Sequence, residues 1–214
     1  MDHTVNTVAI FDKLARVYQD KYMDTSLYHA SFDQFCAYIP EPEARVLELA
    51  CGPGNITRYL LNKRPDLKIL STDLAPQMLE LARTNNPEAT FRLMDCRDIG
   101  KLSEQYDALM CGFALPYLSR EEVLSLIADA SRILEPGGVL YLSTMEDDYS
   151  KSGMRSGSTG DSLFVYFHEA AFLAKALGDH GFQVLHMHHQ PFPGGDNITD
   201  LIIIAQQQHA WHRR

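Results

Sequence analysis

From residue 45 onward the chain alternates between short apolar runs and stretches whose apolar residues recur every three or four positions. The runs at 45–50, 67–73, 89–94, 106–112, 138–145, 182–189 and 200–206 read as strands, and 55–63, 76–84, 120–134 and 168–180 read as helices. The 120–134 stretch shows why. Ser119 and Glu122 have the spacing of a capping box, Val123, Ile127, Ala130 and Leu134 fall on one face, and Pro136-Gly137-Gly138 halts the pattern. Pro76 suits a first helical turn, where its missing N–H is not needed. The alternation predicts a Rossmann-like, doubly wound α/β sheet of seven strands, mostly parallel, with helices on both faces. Between the last two strands only 190–199 remains, with Pro191, Pro193, Gly194 and Gly195. That is too short for a crossover helix, so the last strand is expected to run antiparallel.

Residues 1–40 are aromatic-rich and helix-leaning, closed by Pro40 and Pro42. They read as an N-terminal helical segment ahead of a domain at 41–214, together one structural domain. Phe11, Tyr18, Tyr22, Tyr28 and Phe32 in this segment allow plain helix packing or a cover over a site. The polar run 150–162 reads as a flexible loop.

Composition narrows the function classes. With 214 residues, 45% hydrophobic and 22% charged, the chain has the make-up of an ordinary soluble globular protein. A formal charge of −9 argues against gripping nucleic acid through its phosphates. Asp2, Asp12, Asp20 and Asp24 interrupt the N-terminal stretch, so neither a signal peptide nor a membrane span is expected. Cys36, Cys51, Cys96 and Cys111 are scattered, the pattern of separate reduced thiols in a cytoplasmic protein. His186 and His188 share one strand face without a nearby cysteine or carboxylate ligand, so no metal site is expected. His209, Trp211 and His212 read as an exposed tail, and a monomer or a homodimer is compatible with the composition.

The densest signal is Val46-Leu-Glu-Leu-Ala-Cys-Gly-Pro-Gly-Asn55. An apolar strand runs to Glu48, a turn carries Gly52 and Gly54, and a helix starts near Asn55. Glycine lets backbone pass close to a ligand, and the helix N-terminus offers free N–H groups. In an open α/β sheet, ligands bind beyond the carboxyl ends of the strands, beside the first one. Those ends carry Glu48, Asp73, Asp95 and Gly112-Phe113, so three carboxylates are expected to converge on one crevice. Asp73, nineteen positions after Gly54, is placed to accept both hydroxyls of a ribose. Asp95 is placed to accept from an adenine amino group, with Leu74, Met78 and Phe113 against the adenine faces. A nicotinamide dinucleotide would use the same turn, but its pyrophosphate conflicts with further acids, and Thr57 stands where a third glycine would. S-adenosylmethionine has no phosphate and carries a sulfonium and an ammonium, which suit an acidic crevice.

These motifs, in this order, resemble the class I S-adenosylmethionine-dependent methyltransferases across roughly residues 40–206, and more broadly their small-molecule branch. Val46–Gly54 is similar to the family's glycine motif, Leu70-Ser-Thr-Asp73 to its ribose acid and Met94-Asp95-Cys96 to its adenine acid. Tyr106–Gly112 is similar to its fourth strand and Leu134–Leu140 to the start of its fifth. Ala50 departs from the usual glycine, and its small side chain is expected to be harmless there. The resemblance implies S-adenosyl-L-methionine as cofactor, held by Glu48, Ala50, Cys51, Gly52, Gly54, Asn55, Asp73, Leu74, Met78, Asp95, Cys96 and Phe113. It implies a lid over residues 1–40 that brings Tyr18 and Tyr22 to the cofactor. The implied reaction is methyl transfer to a small-molecule acceptor by in-line displacement, with His29, Tyr117, Glu146, Tyr149 and His168 as candidates to face the acceptor. Phe113-Ala-Leu-Pro-Tyr117 lacks the Asn/Asp-Pro-Pro-Tyr/Phe run of enzymes that methylate nucleic-acid bases, which favours a metabolite. Two alternatives stay open: a methyltransferase-like protein that binds the cofactor without turnover, and an NAD(P)-dependent reductase.

Overall fold

The structure is a computed structural model that describes residues 3–39, 41–157, 159–191 and 198–208. Its strands are β1 (Arg45–Leu49), β2 (Lys68–Asp73), β3 (Thr90–Leu93), β4 (Tyr106–Cys111), β5 (Leu134–Glu146), β6 (Gly153–Ser156), β7 (Ser162–Val165), β8 (Phe182–Pro191) and β9 (Thr199–Gln207). The helices are α1 (Thr4–Lys13), α2 (Ala15–Tyr22), α3 (His29–Ala37), α4 (Asn55–Lys63), α5 (Pro76–Asn85), α6 (Arg120–Ile133) and α7 (Ala170–Asp179). Seven strands make one sheet in the order β3–β2–β1–β4–β5–β9–β8. The first five run parallel, β9 lies antiparallel to β5, and β8 antiparallel to β9. The expected fold, with its antiparallel last strand, is the one observed.

Both faces of the sheet are covered, so its central strands are apolar along their length. Leu47, Leu49, Leu109, Leu142 and Ile203 pack toward Val123 and Ile127 of α6. Val46, Met110, Tyr141 and Ile204 pack the other way, against Phe32 and Phe35 of α3 and Leu60 of α4. The N-terminal segment is therefore divided. Its α3 belongs to the main core, whereas Val8, Phe11 and Tyr18 of α1 and α2 pack around Ala75 and Met78, beyond the strand ends.

The capping box of α6 forms: Glu122 N donates to Ser119 Oγ at 3.3 Å and Ser119 N to Glu122 Oε2 at 2.8 Å. The 150–162 stretch departs from its expected flexibility. Four residues on each side pair as the β6–β7 hairpin, from Gly153↔Val165 to Ser156↔Ser162. This hairpin gains its place from contacts remote in sequence: Phe164 stacks on His3, centroids 4.4 Å apart, and Lys13 pairs with Asp161 at 3.0 Å. The expected turn at Pro193, Gly194 and Gly195, the break at Pro40 and the tail with His209, Trp211 and His212 lie outside the described residues. No described helix is long and apolar enough to cross a membrane.

Candidate cofactor site

β1 is buried over all but its first residue and delivers the chain to a tight turn. Three residues there take left-handed backbone: Ala50 (φ 50°), Gly52 (φ 54°) and Gly54 (φ 80°). The two glycines serve different ends. A Cβ on Gly54 would sit 2.3 Å from Asn86 Nδ2, which donates to the Gly54 carbonyl at 2.9 Å, so this glycine lets the end of α5 pack on the turn. A Cβ on Gly52 would instead point at the Tyr18 ring, 3.7 Å away, on the open side. Of the two, Gly52 is the one that leaves room for a ligand. Ala50, expected to be harmless, occupies a conformation that costs a non-glycine residue on the order of 1 kcal/mol.

Asp73, at the tip of β2, clasps this turn. Its Oδ2 accepts from Gly52 N and its Oδ1 from Ala75 N, each at 2.8 Å. Burial pushes its carboxyl up, against the pull of those N–H donors. Asp95 is placed differently. Arg97 grips its carboxylate through Nη2 at 2.7 Å and Nε at 3.0 Å, then reaches Glu122 at 2.7 Å. Glu48 is withdrawn altogether. Strand alternation turns it toward α4, where it is 1% exposed beneath the turn. Its Oε2 accepts from Thr57 Oγ1 at 2.5 Å and Ser71 Oγ at 2.9 Å, and burial pushes its carboxyl up to about 7. The expected convergence of three carboxylates is thus corrected. One is sealed under the turn and one is matched by an arginine, which leaves Asp73 as the acid of the crevice.

About 820 Å³ of unfilled space, partly open to solvent, lies over these strand ends. Ala50, Gly52, Asp73, Gly112 and Phe113 line it at the strand tips. Leu74, Met78, Met94, Asp95 and Cys96 make an adjoining wall, and Tyr117 and Leu118 another. Thr4, Thr7, Val8 and Phe11 of α1 and Tyr18 of α2 complete the lining. Phe11 packs edge-on against both Tyr18 and Tyr117, at 5.7 and 5.1 Å between centroids. Burial holds the phenols of Tyr18 and Tyr117 protonated, helped by neighbouring tyrosines and, at Tyr18, by Asp73. Burial also pushes up the thiols of Cys51 and Cys96, which removes them as nucleophiles.

Ten sequence candidates therefore share this cavity: Tyr18, Ala50, Gly52, Asp73, Leu74, Met78, Asp95, Cys96, Phe113 and Tyr117. The others lie outside its lining. Cys51 is buried within the turn, and Asn55 Nδ2 donates to the Tyr22 carbonyl at 2.9 Å, which ties α2 to the start of α4. His29 lies over Tyr59, centroids 4.2 Å apart. Glu146 accepts from Ala170 N at 2.7 Å and pairs with His189 at 2.5 Å. Tyr149 lies under the Arg120 guanidinium at 4.4 Å. His168 is fully buried, its Nε2 within 3.1 Å of the Leu115 and Leu118 carbonyls, so it braces the loop that bears Tyr117. Met94 and Gly112, named at the strand tips but left out of the cofactor-holding set, also line the cavity. Thr4, Thr7, Val8 and Arg97 carried no local signal.

Residues 46–138 match a protein family described as Methyltransferase domain. Among curated relatives, the chain is 38% identical over 110 residues to a trans-aconitate 2-methyltransferase of Variovorax paradoxus, covering 51% of this chain and 42% of that one. It is 30% identical over 120 residues to a ubiquinone biosynthesis O-methyltransferase of Xanthomonas campestris pv. campestris, covering 53% and 48%. The chain thus spans about half the length of the curated relatives it matches. Among solved structures, a DhpI–SAH complex superposes with a TM-score of 0.73 at 19% identity, covering 98% of each chain, a likeness of fold.

Proposed function

We propose that the chain is a class I S-adenosylmethionine-dependent methyltransferase, a reading supported by the matched methyltransferase domain and the methyltransferase relatives, and that it transfers a methyl group from S-adenosyl-L-methionine to a small-molecule acceptor. The cavity's own groups fit this cofactor. Asp73 keeps lone pairs free after accepting from Gly52 and Ala75, as a pair of ribose hydroxyls requires. Gly52 allows an extended chain to pass beneath Tyr18. Leu74, Met78 and Met94 offer apolar surface to a flat base, whose edge would meet Asp95 and Cys96.

When bound, the cofactor supplies an electrophilic methyl group on a sulfonium. The protein's task is then to align the acceptor and to exclude water. Tyr18 and Tyr117, kept protonated, act as walls and donors rather than bases. In this reading α1 and α2 are the lid, and residues 41–214 are the body that it closes on. A cytoplasmic setting goes with it, since all four cysteines are free thiols.

The observation that carries the reading is the clasp of Asp73 on Gly52, with Tyr18 over the same glycine. Calorimetric titration with S-adenosylmethionine and its demethylated product tests it: both should bind at one site, and binding of neither would overturn it. Turnover is read as release of demethylated cofactor across a panel of phenols, amines and carboxylic acids, trans-aconitate among them. Binding without turnover on that panel would favour a cofactor-binding protein without catalysis.

A further inference from the structure

The titratable side chains that line the cofactor cavity are already committed. Asp73 accepts from Gly52 and Ala75 and is the ribose acid of the reading above. Arg97 holds both oxygens of Asp95 through Nε and Nη2, and it pairs with Glu122. Burial keeps the Cys96 thiol and the phenols of Tyr18 and Tyr117 protonated. His3 lies outside this lining, in an adjoining space beyond Thr4, with its ring stacked on Phe164. The cavity thus offers no group to take a proton from an acceptor. A phenol or an alkylammonium gives up its proton only at about pH 10 and a thiol at about 8.5, whereas a carboxyl group has lost it by about pH 5. An acceptor that needs no base is therefore a carboxylate.

The same lining can hold one. Tyr18 and Tyr117 border the open space, and neither hydroxyl has a hydrogen-bond partner among the described residues. They are near enough that charge on Tyr117 acts on Tyr18, and Phe11 stands edge-on to both rings. The loop that carries Tyr117 is fixed: His168 braces it at Leu115 and Leu118, and Tyr166 N donates to the Pro116 carbonyl at 2.8 Å. A hydrogen bond from a protonated phenol to an anion is roughly twice as strong as one between neutral groups. Two such donors can hold one carboxylate oxygen while the other keeps its lone pairs for the methyl group. Around them, Val8, Phe11, Phe113, Ala114 and Leu118 favour an apolar body. The charge balance permits an anion as well. With Glu48 sealed and Asp95 matched by Arg97, it would face Asp73 alone, beside a cofactor that carries a sulfonium.

Resting on the methyl-transfer reading above, we propose that the acceptor is a carboxylate on an apolar body, seated on the hydroxyls of Tyr18 and Tyr117 and methylated to an ester without a base. A lone pair of the free carboxylate oxygen forms the new O–C bond while the C–S bond breaks and its electrons return to sulfur. No proton moves. The negative and positive charges cancel, leaving a neutral ester and a neutral sulfide group. A water-poor aromatic cavity suits a reaction in which opposite charges vanish.

The test has a binding arm and a transfer arm. In the first, the full chain loaded with S-adenosylhomocysteine is titrated by NMR with benzoate, phenol and benzylammonium, and with hexanoate, hexanol and hexylammonium. Each carboxylate should bind at least about tenfold more tightly than its matched alcohol or ammonium, the discrimination expected for hydrogen bonds to a charged group. Tyr117→Phe, which keeps the ring beside Phe11, should weaken the carboxylates about tenfold and leave S-adenosylhomocysteine affinity unchanged. Tyr18→Phe should weaken the carboxylates by a similar factor. In the second arm, methyl-labelled S-adenosylmethionine should pass label to the carboxylates, and alkali should release it as methanol. His3→Phe, which keeps the stack on Phe164, should leave that rate unchanged. Equal binding of an alcohol or ammonium, carboxylates that do not bind or bind without being methylated, or label in phenol or an amine would overturn the proposal. So would indifference to Tyr117→Phe, or a Tyr18→Phe protein that loses affinity for S-adenosylhomocysteine and not for carboxylates. Loss of transfer in His3→Phe would reveal a base and overturn it too. Failure of S-adenosylhomocysteine to bind at the loading step would fell the cofactor reading and this proposal with it.

Discussion

The two sides of the cavity are held in place by different means. On the strand side, backbone pairing does most of the holding: Cys51 N donates to the Thr72 carbonyl at 2.9 Å and Met94 N to the Asp73 carbonyl at 3.0 Å, with the Asp73 side chain closing on Gly52 N at 2.8 Å. On the α1–α2 side, side-chain contacts do it. Gln77 N donates to Asp12 at 2.7 Å, Asn85 Nδ2 to Gln19 at 2.8 Å, and Asn55 Nδ2 to the Tyr22 carbonyl at 2.9 Å. The Lys13–Asp161 pair and the His3–Phe164 stack add the hairpin to the same set. One side is thus part of a cooperative sheet, and the other can part from it without breaking a ladder. That asymmetry suits a site whose ligand must enter and leave.

The largest effect should come from beneath the rigid side. Burial moves the Glu48 carboxyl from an ordinary value near 4.5 to about 7. A carboxyl raised in the folded state contributes stability that is complete below its unfolded value and is lost as pH rises through the folded one. Stability should therefore fall between about pH 4.5 and 7, and stay flat above, by up to about 3 kcal/mol from this residue. Glu48→Gln should remove that slope and stabilise the protein at pH 8, because the amide oxygen still accepts from Thr57 and Ser71. Urea midpoints at pH 5 and pH 8 measure it. A parallel pH dependence in both proteins would mean that Glu48 is not buried as a neutral acid.

Next in size is Asp73→Ala. It takes the acceptor away from Gly52 N and Ala75 N and from the ribose hydroxyls. At about 1.5–3 kcal/mol for a hydrogen bond to a charged group, affinity for S-adenosylhomocysteine should fall at least about tenfold. Calorimetry reads the affinity and a thermal melt reads the loosened turn. Unchanged affinity would move the ribose elsewhere.

Asp73 was legible in the sequence because its position follows from local pattern alone. Strand ends, the glycine turn and the capping box of Ser119 and Glu122 each depend on residues a few positions apart. The antiparallel end of the sheet followed from the short 190–199 connection. What stayed hidden depends on partners far along the chain. Arg97 closing on Asp95 leaves no periodic trace, and it changes the charge of the crevice. Phe164 meets His3, and Tyr28 meets Asp200, across most of the sequence. The polar 150–162 run could not announce a hairpin whose support comes from residues 3 and 13. Glu48 was read as one of the acids of the crevice, and only the fold shows that it turns away beneath the turn, covered by Thr57 and Ser71.

Ala50→Gly offers a smaller change of opposite sign. With φ at 50°, alanine carries strain that glycine would not. The gain in the folded state, on the order of 1–2 kcal/mol, is partly offset by the extra freedom of glycine in the unfolded chain. A net rise in stability of about 0.5–1 kcal/mol is expected, read as a higher urea midpoint. A drop instead would mean that the Ala50 methyl packs usefully against its neighbours and that the turn bears no strain there.

The smallest effect belongs to the side-chain-held side, and it should appear in kinetics more than in stability. The residue before α5 is Ala75, which offers no capping side chain. Asp12 does that work from α1, accepting from Gln77 N at 2.7 Å. A lost cap typically costs about 0.5–1 kcal/mol, so Asp12→Ala should lower stability only slightly. It also cuts a tie between α1 and the wall that holds Met78. If α1 and α2 must part for the ligand to leave, the dissociation rate of S-adenosylhomocysteine should rise about two- to fivefold while its association rate changes less. Stopped-flow displacement separates the two rates. An equal fall in association with dissociation unchanged would place the roof on the entry path alone. An Asp12→Ala protein as slow to release as the parent would mean that the remaining contacts hold this side as firmly as the sheet holds the other.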